Sequence, residues 1–334
     1  MPLSSPRAKA TAGPISVLPM ELRQLSAVLA LADNGTFSAA ADALGTVQSN
    51  VSTHIARLER ELGTPIFDRS RGALTEEGRV VVARARRIMV ELEGLVSDVA
   101  AVRNVVAGTV SLGMIGTTAR WLAPKVLETM SERHPGVHLT VAEGTSAELA
   151  DRLQAGRLDL AVSSLPSADE DLTGEGLFDE DLVLVVARDD PLAGRTDIGV
   201  DEVISIPLLL PMQGTTLRRE LETALSRGRD RPVALTPKAE LDGVRLIASL
   251  TFDGHGPAIL PACAVPDYLQ DQWVTVPVEG LPRRTVGVVT RHRGLLSAPA
   301  RALRDIVRDI VDGQLGPEGR TGLHPPATAA PARR

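Results

Sequence analysis

The segment GTVQSNVSTHIARLEREL, from Gly45 to Leu62, combines a helical apolar stripe with an outer face of short polar side chains. At about 100° per residue, Val51, Ile55 and Leu58 fall on one side, which predicts a helix packed against a core. The remaining face carries hydrogen-bonding or cationic groups at Gln48, Ser49, Asn50, Ser52, Thr53 and Arg57. Two interpretations stay open: a solvated helix face, or a surface that another molecule approaches closely.

The flanking residues favour the second interpretation. LRQLSAVLALADNGTFSAAADAL predicts two helices, the first ended by Asn34-Gly35 and the second capped by Thr36 or Ser38. Two helices joined by a short glycine-containing turn form a helix-turn-helix, which presents its second helix to a DNA major groove.

Two short strands are predicted after this helix, at Pro65-Ile66-Phe67 and at Ala73-Leu74. The tip between them carries Arg69 and Arg71, two cations suited to phosphate groups. The strands and their tip predict a β-wing.

The run LGTVQSNVSTHIARLERELGTPIFDRSRGALTEEG resembles the winged helix-turn-helix of LysR-type transcriptional regulators, and the resemblance extends over about Met20 to Asp312. It implies that Gln48, Ser49, Ser52 and Thr53 contact base edges or nearby phosphates, with Asn50 beside them. A longer side chain is commoner at the position of Thr53, so the preferred base pairs stay open. The resemblance also implies that Ser38, Arg57, Arg69 and Arg71 position the DNA backbone.

Composition limits the remaining function classes. No signal peptide or long apolar run is present, so a cytoplasmic protein is expected. The one cysteine, Cys263, excludes an intrachain disulfide and a cysteine zinc site. It is predicted to be a small core residue, with a redox sensor as the alternative. We expect no cofactor and no metal.

Charge is distributed unevenly along the chain. The formal net charge is −6, yet Gln48–Arg87 holds 8 arginines and 5 acids. Because phosphate binding depends on local charge, the acidic total is compatible with DNA binding. It also predicts a second, acidic domain that does not touch DNA.

A heptad seam follows the wing, within a predicted linker and dimerisation helix over residues 76–107. Apolar residues repeat at spacings of four and three: Val81, Ala85, Ile88, Leu92, Leu95, Val99, Val102 and Val106. This pattern is typical of a two-chain coiled coil, although the seam can also pack within its own chain. The resemblance favours a homodimer and adds a homotetramer.

The sequence predicts an α/β architecture with five segments. A flexible arm (1–19), the winged helix-turn-helix domain (20–75) and the coiled-coil linker helix (76–107) come first. Alternating strand and helix patterns then predict a parallel sheet with helices on its faces and two crossings between lobes (108–312). This part resembles the periplasmic-binding-protein-like effector domain of the LysR family. A Pro- and Ala-rich tail (313–334) is predicted to be disordered.

Candidate effector contacts are hydroxyl-rich turns after strands, where small anions such as carboxylates bind. They are Thr117, Thr118, Thr145, Ser146, Ser163, Ser164, Thr215 and Thr216, with His255 as a further candidate. The alternative is that the hydroxyls only cap helices and that His255 belongs to a turn.

The sequence favours one of three function classes. The preferred one is a DNA-binding transcriptional regulator modulated by a small-molecule effector held between two α/β lobes. A transport binding protein fits poorly with the wing and the absent export signal. An enzyme fits poorly because no nucleophile elbow, P-loop, CxxC or metal cluster occurs.

Overall fold

The computed structural model of the chain describes residues 20–103, 105–166, 169–230, 232–265, 272–315 and 320–327. The predicted N-terminal arm (1–19) lies outside these residues. The chain divides into two compact units, Met1–Met89 and Val90–Arg334, and the boundary falls inside one long helix.

The first unit is a winged helix-turn-helix. Its helices are α1 (Leu22–Asn34), α2 (Phe37–Ala43) and α3 (Gln48–Leu62), and its wing pairs β1 (Phe67–Asp68) with β2 (Ala73–Leu74) in antiparallel fashion. Both α1 and α3 end at a glycine in the left-handed region, and the sequence predicts this end for α1 at Asn34-Gly35. Of the two proposed caps for α2, Thr36 is the one used, because its side chain accepts a hydrogen bond from the Ala39 amide.

The first wing strand begins two residues later than predicted. The amides of Ile66 and Phe67 donate to Glu59 Oε1 at 2.8 and 3.2 Å. Ile66 is fully buried in the core of α1, α3 and the following helix. The start of the wing is therefore tied to α3 by a side chain rather than by strand pairing.

The linker helix α4 runs from Glu76 to Ala101. The predicted helix to residue 107 is therefore wrong at its end, and Val102 and Val106 lie beyond α4. A run of β-branched valines has low helix propensity, and the chain enters the next strand at Gly108.

A six-stranded sheet forms the first lobe of the second unit, in the order β13-β6-β12-β5-β3-β4. The strands are β3 (Gly108–Met114), β4 (Val137–Glu143), β5 (Leu160–Ser164), β6 (Leu172–Glu180), β12 (Arg284–Arg291) and β13 (Leu323–His324). Helices α5 (Gly116–Arg133), α6 (Ser146–Gln154) and α10 (Ala298–Asp312) pack with it. The predicted parallel pairing is confirmed for β4-β3-β5, whereas β12 pairs antiparallel with both β5 and β6.

The second lobe holds the strands β7 (Leu182–Ala187), β8 (Leu208–Pro211), β9 (Pro237–Leu241), β10 (Ala258–Pro261) and β11 (Trp273–Pro277). Its helices are α7 (Val200–Val203), α8 (Thr216–Leu225) and α9 (Val244–Phe252). β7 pairs antiparallel with β10 and β11, and β8 pairs parallel with β9. The chain leaves the first lobe after β6 and returns at β12, so it crosses between the lobes twice.

The prediction of a disordered tail is wrong for residues 320–327. Strand β13 pairs antiparallel with β6, opposing Leu323 to Glu180 and His324 to Asp179. Leu323 is buried in the core of the first lobe, and this apolar burial, together with the strand hydrogen bonds, opposes the entropy of disorder. Residues 316–319 and 328–334 of the tail lie outside the described part of the chain.

Within the described ranges, no helix is long and apolar enough to cross a membrane.

Candidate nucleic-acid interface and ligand cavity

Helix α3 separates a buried face from a polar exposed face. Val51, Ile55 and Leu58 are at most 1% exposed and anchor the helix to the three-helix core. The residues Gln48, Ser49, Asn50 and Thr53 are exposed, and Ser52 is half-buried. Thr53 Oγ1 donates to the Ser49 carbonyl at 2.8 Å, and Asn50 Nδ2 donates to Thr46 Oγ1 at 2.9 Å. The exposed face thus offers short hydrogen-bonding groups from a rigid helix.

The wing lies against this face through Arg69. Its Nη2 donates to Ser52 Oγ at 3.3 Å, and its guanidinium lies 5.4 Å from the ring centroid of Phe37. Phe37 in turn packs edge-to-face on Phe67. Since Ser38 follows Phe37 on α2 and is exposed, the start of α2, the outer face of α3 and the wing form one surface.

The wing tip is organised by Asp68. Its Oδ1 accepts hydrogen bonds from the Ser70 amide, the Ser70 hydroxyl and the Arg71 amide. The Ser70 hydrogen bonds lower the pKa of Asp68. Arg71 extends from this turn with its side chain 83% exposed, 3.6 Å from Asp68 Oδ2.

Arg57 is already paired. Its guanidinium lies 2.9 Å from Glu21 and 3.2 Å from Glu61. Contact with a phosphate requires it to exchange one of these carboxylates, so Arg57 is a weaker candidate than Arg71.

A cavity of about 500 Å³ lies between the two lobes of the second unit. Six of the predicted effector contacts line it: Thr117, Thr145, Ser146, Ser164, Thr215 and Thr216. Ser163 lines an adjoining space together with Ser146 and Ser164. Thr118 is fully buried and does not line the cavity, and His255 is exposed in the turn after α9. The structure therefore does not bring these two residues to the cavity.

Several of the lining hydroxyls also cap helices. Thr145 and Glu148 form a reciprocal capping box at α6. Thr215 Oγ1 donates to the Met212 carbonyl at 2.9 Å and accepts from the Arg218 amide at 3.4 Å. Capping and ligand contact are compatible roles, because each hydroxyl oxygen has two lone pairs.

The charged lining residues were missed by the sequence analysis. The carboxylates are Glu143, Glu148, Glu220 and Asp242, and the cations are Arg219, Arg245 and Arg284. They come from four separate stretches of the chain, residues 143–148, 219–220, 242–245 and 284, and no local spacing relates these stretches to one another. Nothing in the sequence pattern around Arg284 assigns this residue to the cavity.

Arg284 belongs to a buried ion pair. Its Nε donates to Glu180 Oε1 at 2.8 Å, and its Nη2 donates to Glu180 and, at 3.2 Å, to Thr117 Oγ1. Glu180 is fully buried and Arg284 is 9% exposed. The pair joins the end of β6 to the start of β12 at the crossing between the lobes.

Two family models match most of the chain. Residues 103–312 match the LysR substrate binding domain, and residues 22–79 match the bacterial regulatory helix-turn-helix protein of the lysR family. The chain belongs to the LysR family. It is a DNA-binding transcriptional regulator with an effector-binding domain.

Individual relatives of this LysR-family regulator span nearly the whole chain. A probable hydrogen peroxide-inducible genes activator from Mycobacterium avium is 30% identical over 295 residues, which cover 87% of this chain and 94% of the relative. The transcriptional dual regulator OxyR from Escherichia coli is 28% identical over 299 residues, which cover 88% of this chain and 97% of the relative. The structure of a full-length OxyR variant from Pseudomonas aeruginosa aligns with a TM-score of 0.70 at 26% identity. The alignment covers 87% of this chain and 94% of the OxyR chain. These relatives are regulators of transcription and not enzymes.

The single cysteine of this LysR-family regulator is a core residue. Cys263 is 1% exposed and packs in the core of the first lobe. Burial raises the pKa of its thiol well above the ordinary value, and the nearby Glu180 carboxylate raises it further. The thiol is therefore protonated at neutral pH, which makes it a poor nucleophile.

Proposed function

We propose that this regulator reads operator DNA with α3 and the wing, and that a small carboxylate or other anion in the cavity modulates its activity. The observation that carries the DNA part is the exposed face of short polar groups on α3 beside Arg69 and Arg71. Such groups reach base edges at short range, and the two cations at the wing suit the phosphates on either side.

Within this proposal, base edges or nearby phosphates are contacted by Gln48, Ser49, Asn50, Ser52 and Thr53. Ser38, Arg57, Arg69 and Arg71 contact the DNA backbone and set the register of α3. The side chain of Arg71 is 83% exposed, so its contribution is expected to be purely electrostatic. Gln48 stands at the first position of α3, where recognition helices present side chains to bases.

The test is a gel-shift titration with DNA from upstream of the gene, at several salt concentrations. Arg71→Ala should weaken binding to all sequences and reduce the slope of log affinity against log salt by about one. Gln48→Ala should change the preference at particular base pairs by roughly 1–3 kcal/mol.

Arg227→Ala is the matched control, since Arg227 is an exposed arginine of the second unit. It should leave both the affinity and the salt slope unchanged. Unchanged binding in both Arg71→Ala and Gln48→Ala would remove the helix-and-wing proposal.

The effector part of the proposal rests on the cavity between the lobes. Four helices, α5, α6, α8 and α9, contribute residues of their first turns to its wall. Helix N-termini carry partial positive charge and free amides, which favour a bound anion. A ligand that touches both lobes can modulate DNA binding only by favouring one arrangement of the lobes over another.

We further propose a homodimer through α4 and a homotetramer through the effector domains. Three seam residues of α4, Ile88, Leu95 and Val99, are 42%, 61% and 57% exposed in the single chain. An exposed apolar seam at heptad spacing is the surface that a second copy of the helix covers.

A further inference from the structure

Some of the charges that line the cavity are already neutralised within the chain. Arg245 forms an ion pair with Glu143. Glu148 accepts hydrogen bonds from the amide and hydroxyl of Thr145, at 2.8 and 3.1 Å. The Glu143–Arg245 pair therefore contributes little net charge to the cavity, whereas Glu148 keeps its negative charge because its hydrogen-bond donors are neutral. The charge preference of the cavity therefore depends on the groups that remain.

Glu220 is the half-buried carboxylate among those that remain. It lines the cavity from α8, four residues after Thr216. Among the described residues it forms no hydrogen bond and no ion pair within 4 Å. The pKa of Glu220 lies above its ordinary value, because burial and the Glu180 carboxylate raise it more than the guanidiniums of Arg284 and Arg219 lower it. An ionised carboxylate in this position lacks a partner that water or a ligand must supply.

The buried charges around Glu220 leave a net negative charge. Glu180 and Glu220 contribute two carboxylates, whereas Arg284 contributes one guanidinium, which is bound to Glu180. Arg219 is exposed and solvated, so it compensates Glu220 only weakly. Asp242, also exposed and on the cavity wall, adds a further carboxylate. This part of the cavity favours a cationic group.

An adjacent part of the same cavity favours an anionic group. The first turns of α5, α6, α8 and α9 line the same cavity, and their amides favour a negative group. Arg284 also lines the cavity, and its Nη1 makes no hydrogen bond among the described residues. Arg284 is 91% buried and its other two nitrogens bind Glu180 and Thr117, so Nη1 is the donor left for a ligand.

We propose that the effector is a zwitterion of the amino-acid class, with its carboxylate at the helix N-termini and its amine on Glu220. The inference rests on the proposed use of this cavity as the effector site. Thr216 and Glu220 are four residues apart on α8, about 6 Å along the helix axis, and helical side chains point back toward the N-terminus. The anionic and cationic subsites are therefore within a few ångströms, as the charges of an amino acid require. A dicarboxylate would bring a second negative group beside Glu220, at an electrostatic cost.

The test measures binding to the full-length protein by thermal shift and calorimetry. The probes are the twenty proteinogenic L-amino acids, each with its deaminated acid and its decarboxylated amine; for leucine these are 4-methylpentanoate and 3-methylbutylamine. We expect at least one amino acid to raise the melting temperature while neither of its two analogues does. Glu220→Gln should weaken the binding of that amino acid by about tenfold or more, which is typical of a lost charge-assisted hydrogen bond.

A second readout separates recognition from misfolding. Glu220→Gln should bind the deaminated acid more tightly than the unsubstituted protein does, because the repulsion between two carboxylates is gone. A merely destabilised variant would lose affinity for every probe. Glu128→Gln, at an exposed position of α5 away from the cavity, is the matched control and should change nothing.

Three results would overturn the inference. If the deaminated acid binds as tightly as the amino acid and Glu220→Gln has no effect, the cavity holds a simple anion and the proposed effector site stands. If no amino acid binds, the ligand belongs to another class. If an amino acid binds but neither Glu220→Gln nor Ser146→Ala weakens it, binding is elsewhere, and the cavity proposal fails with the inference.

Discussion

At the scale of single residues, the Glu180–Arg284 pair is a buried ion pair, with side-chain exposures of 0% and 8%. Glu180 Oε2 also accepts, at 3.4 Å, from the amide of Cys263, so the carboxylate is surrounded by protein. Removing one partner of such a pair leaves the other charge buried without compensation, and the desolvation cost is then unopposed.

We expect Arg284→Met to lower the free energy of unfolding by about 3–5 kcal/mol. The adjacent Arg283 provides the control, since its ion pair with Asp181 is only partly buried, with side-chain exposures of 53% and 34%. Arg283→Met should cost less than about 1 kcal/mol. Urea unfolding monitored by circular dichroism measures both. Equal losses of unfolding free energy in the two variants would mean that leaving the Glu180 charge without Arg284 carries no extra penalty.

At the scale of elements, the tail strand β13 and its neighbours contact residues at the start of the second lobe. The Asp181 amide donates to the Gly322 carbonyl at 2.9 Å, and His324 Nε2 lies 2.8 Å from Asp181 Oδ2. Arg320 Nη2 donates to the Val265 carbonyl at 3.1 Å. These contacts attach the tail to Asp181, at the crossing from β6 to β7, and to Val265, which follows β10.

Acid should weaken this attachment. Burial raises the pKa of Asp181, but hydrogen bonds from His324 and Arg283 outweigh it, and the pKa lies below its ordinary value. Such a carboxyl stabilises the fold above its unfolded pKa of about 4, and this contribution is lost as the pH falls through the lower folded value. His324→Ala should therefore lower the free energy of unfolding at neutral pH. In this variant the free energy of unfolding should also fall less steeply as the pH is lowered.

The measurement is urea unfolding between roughly pH 3 and pH 7, the range over which a carboxyl of this kind titrates. His138→Ala, an exposed histidine on β4, is the control and should keep the original pH dependence. Identical pH slopes in the two variants would show that Asp181 and the tail are not coupled.

At the scale of the whole molecule, assembly through α4 is the testable feature. Replacing Leu92 and Leu95 with Asp places charges in the proposed seam, where burying an unpaired charge is unfavourable. We expect a smaller species in analytical ultracentrifugation and weaker operator binding, because a two-fold dimer reads two half-sites at once.

Glu93→Lys is the control for charge alone, since Glu93 is an exposed position of α4 outside the seam. It should leave the mass unchanged. If the double Asp variant also keeps its mass, the seam packs within one chain, the alternative that the heptad pattern left open.

The sequence was sufficient wherever the structure depends on contacts a few residues apart. The stripe of Val51, Ile55 and Leu58 predicted α3 and its buried face, and Asn34-Gly35 predicted the end of α1. The alternation of elements from Gly108 onward predicted two α/β lobes, and the turns after β3, β4 and β8 predicted most of the hydroxyls of the cavity. Periodicity and capping are local, so a single chain reveals them.

Tertiary structure decided the rest, because long-range pairing leaves no local signal. β6 was missed since Gly174 interrupts its pattern; a Cβ there would lie 2.3 Å from Leu165 Cδ2. The antiparallel insertion of β12 and the docking of β13 likewise depend on partners more than a hundred residues away. Glu180 and Arg284, 104 residues apart, meet only through these pairings. Folding therefore sets the charges of the cavity, whereas local sequence sets its hydroxyls.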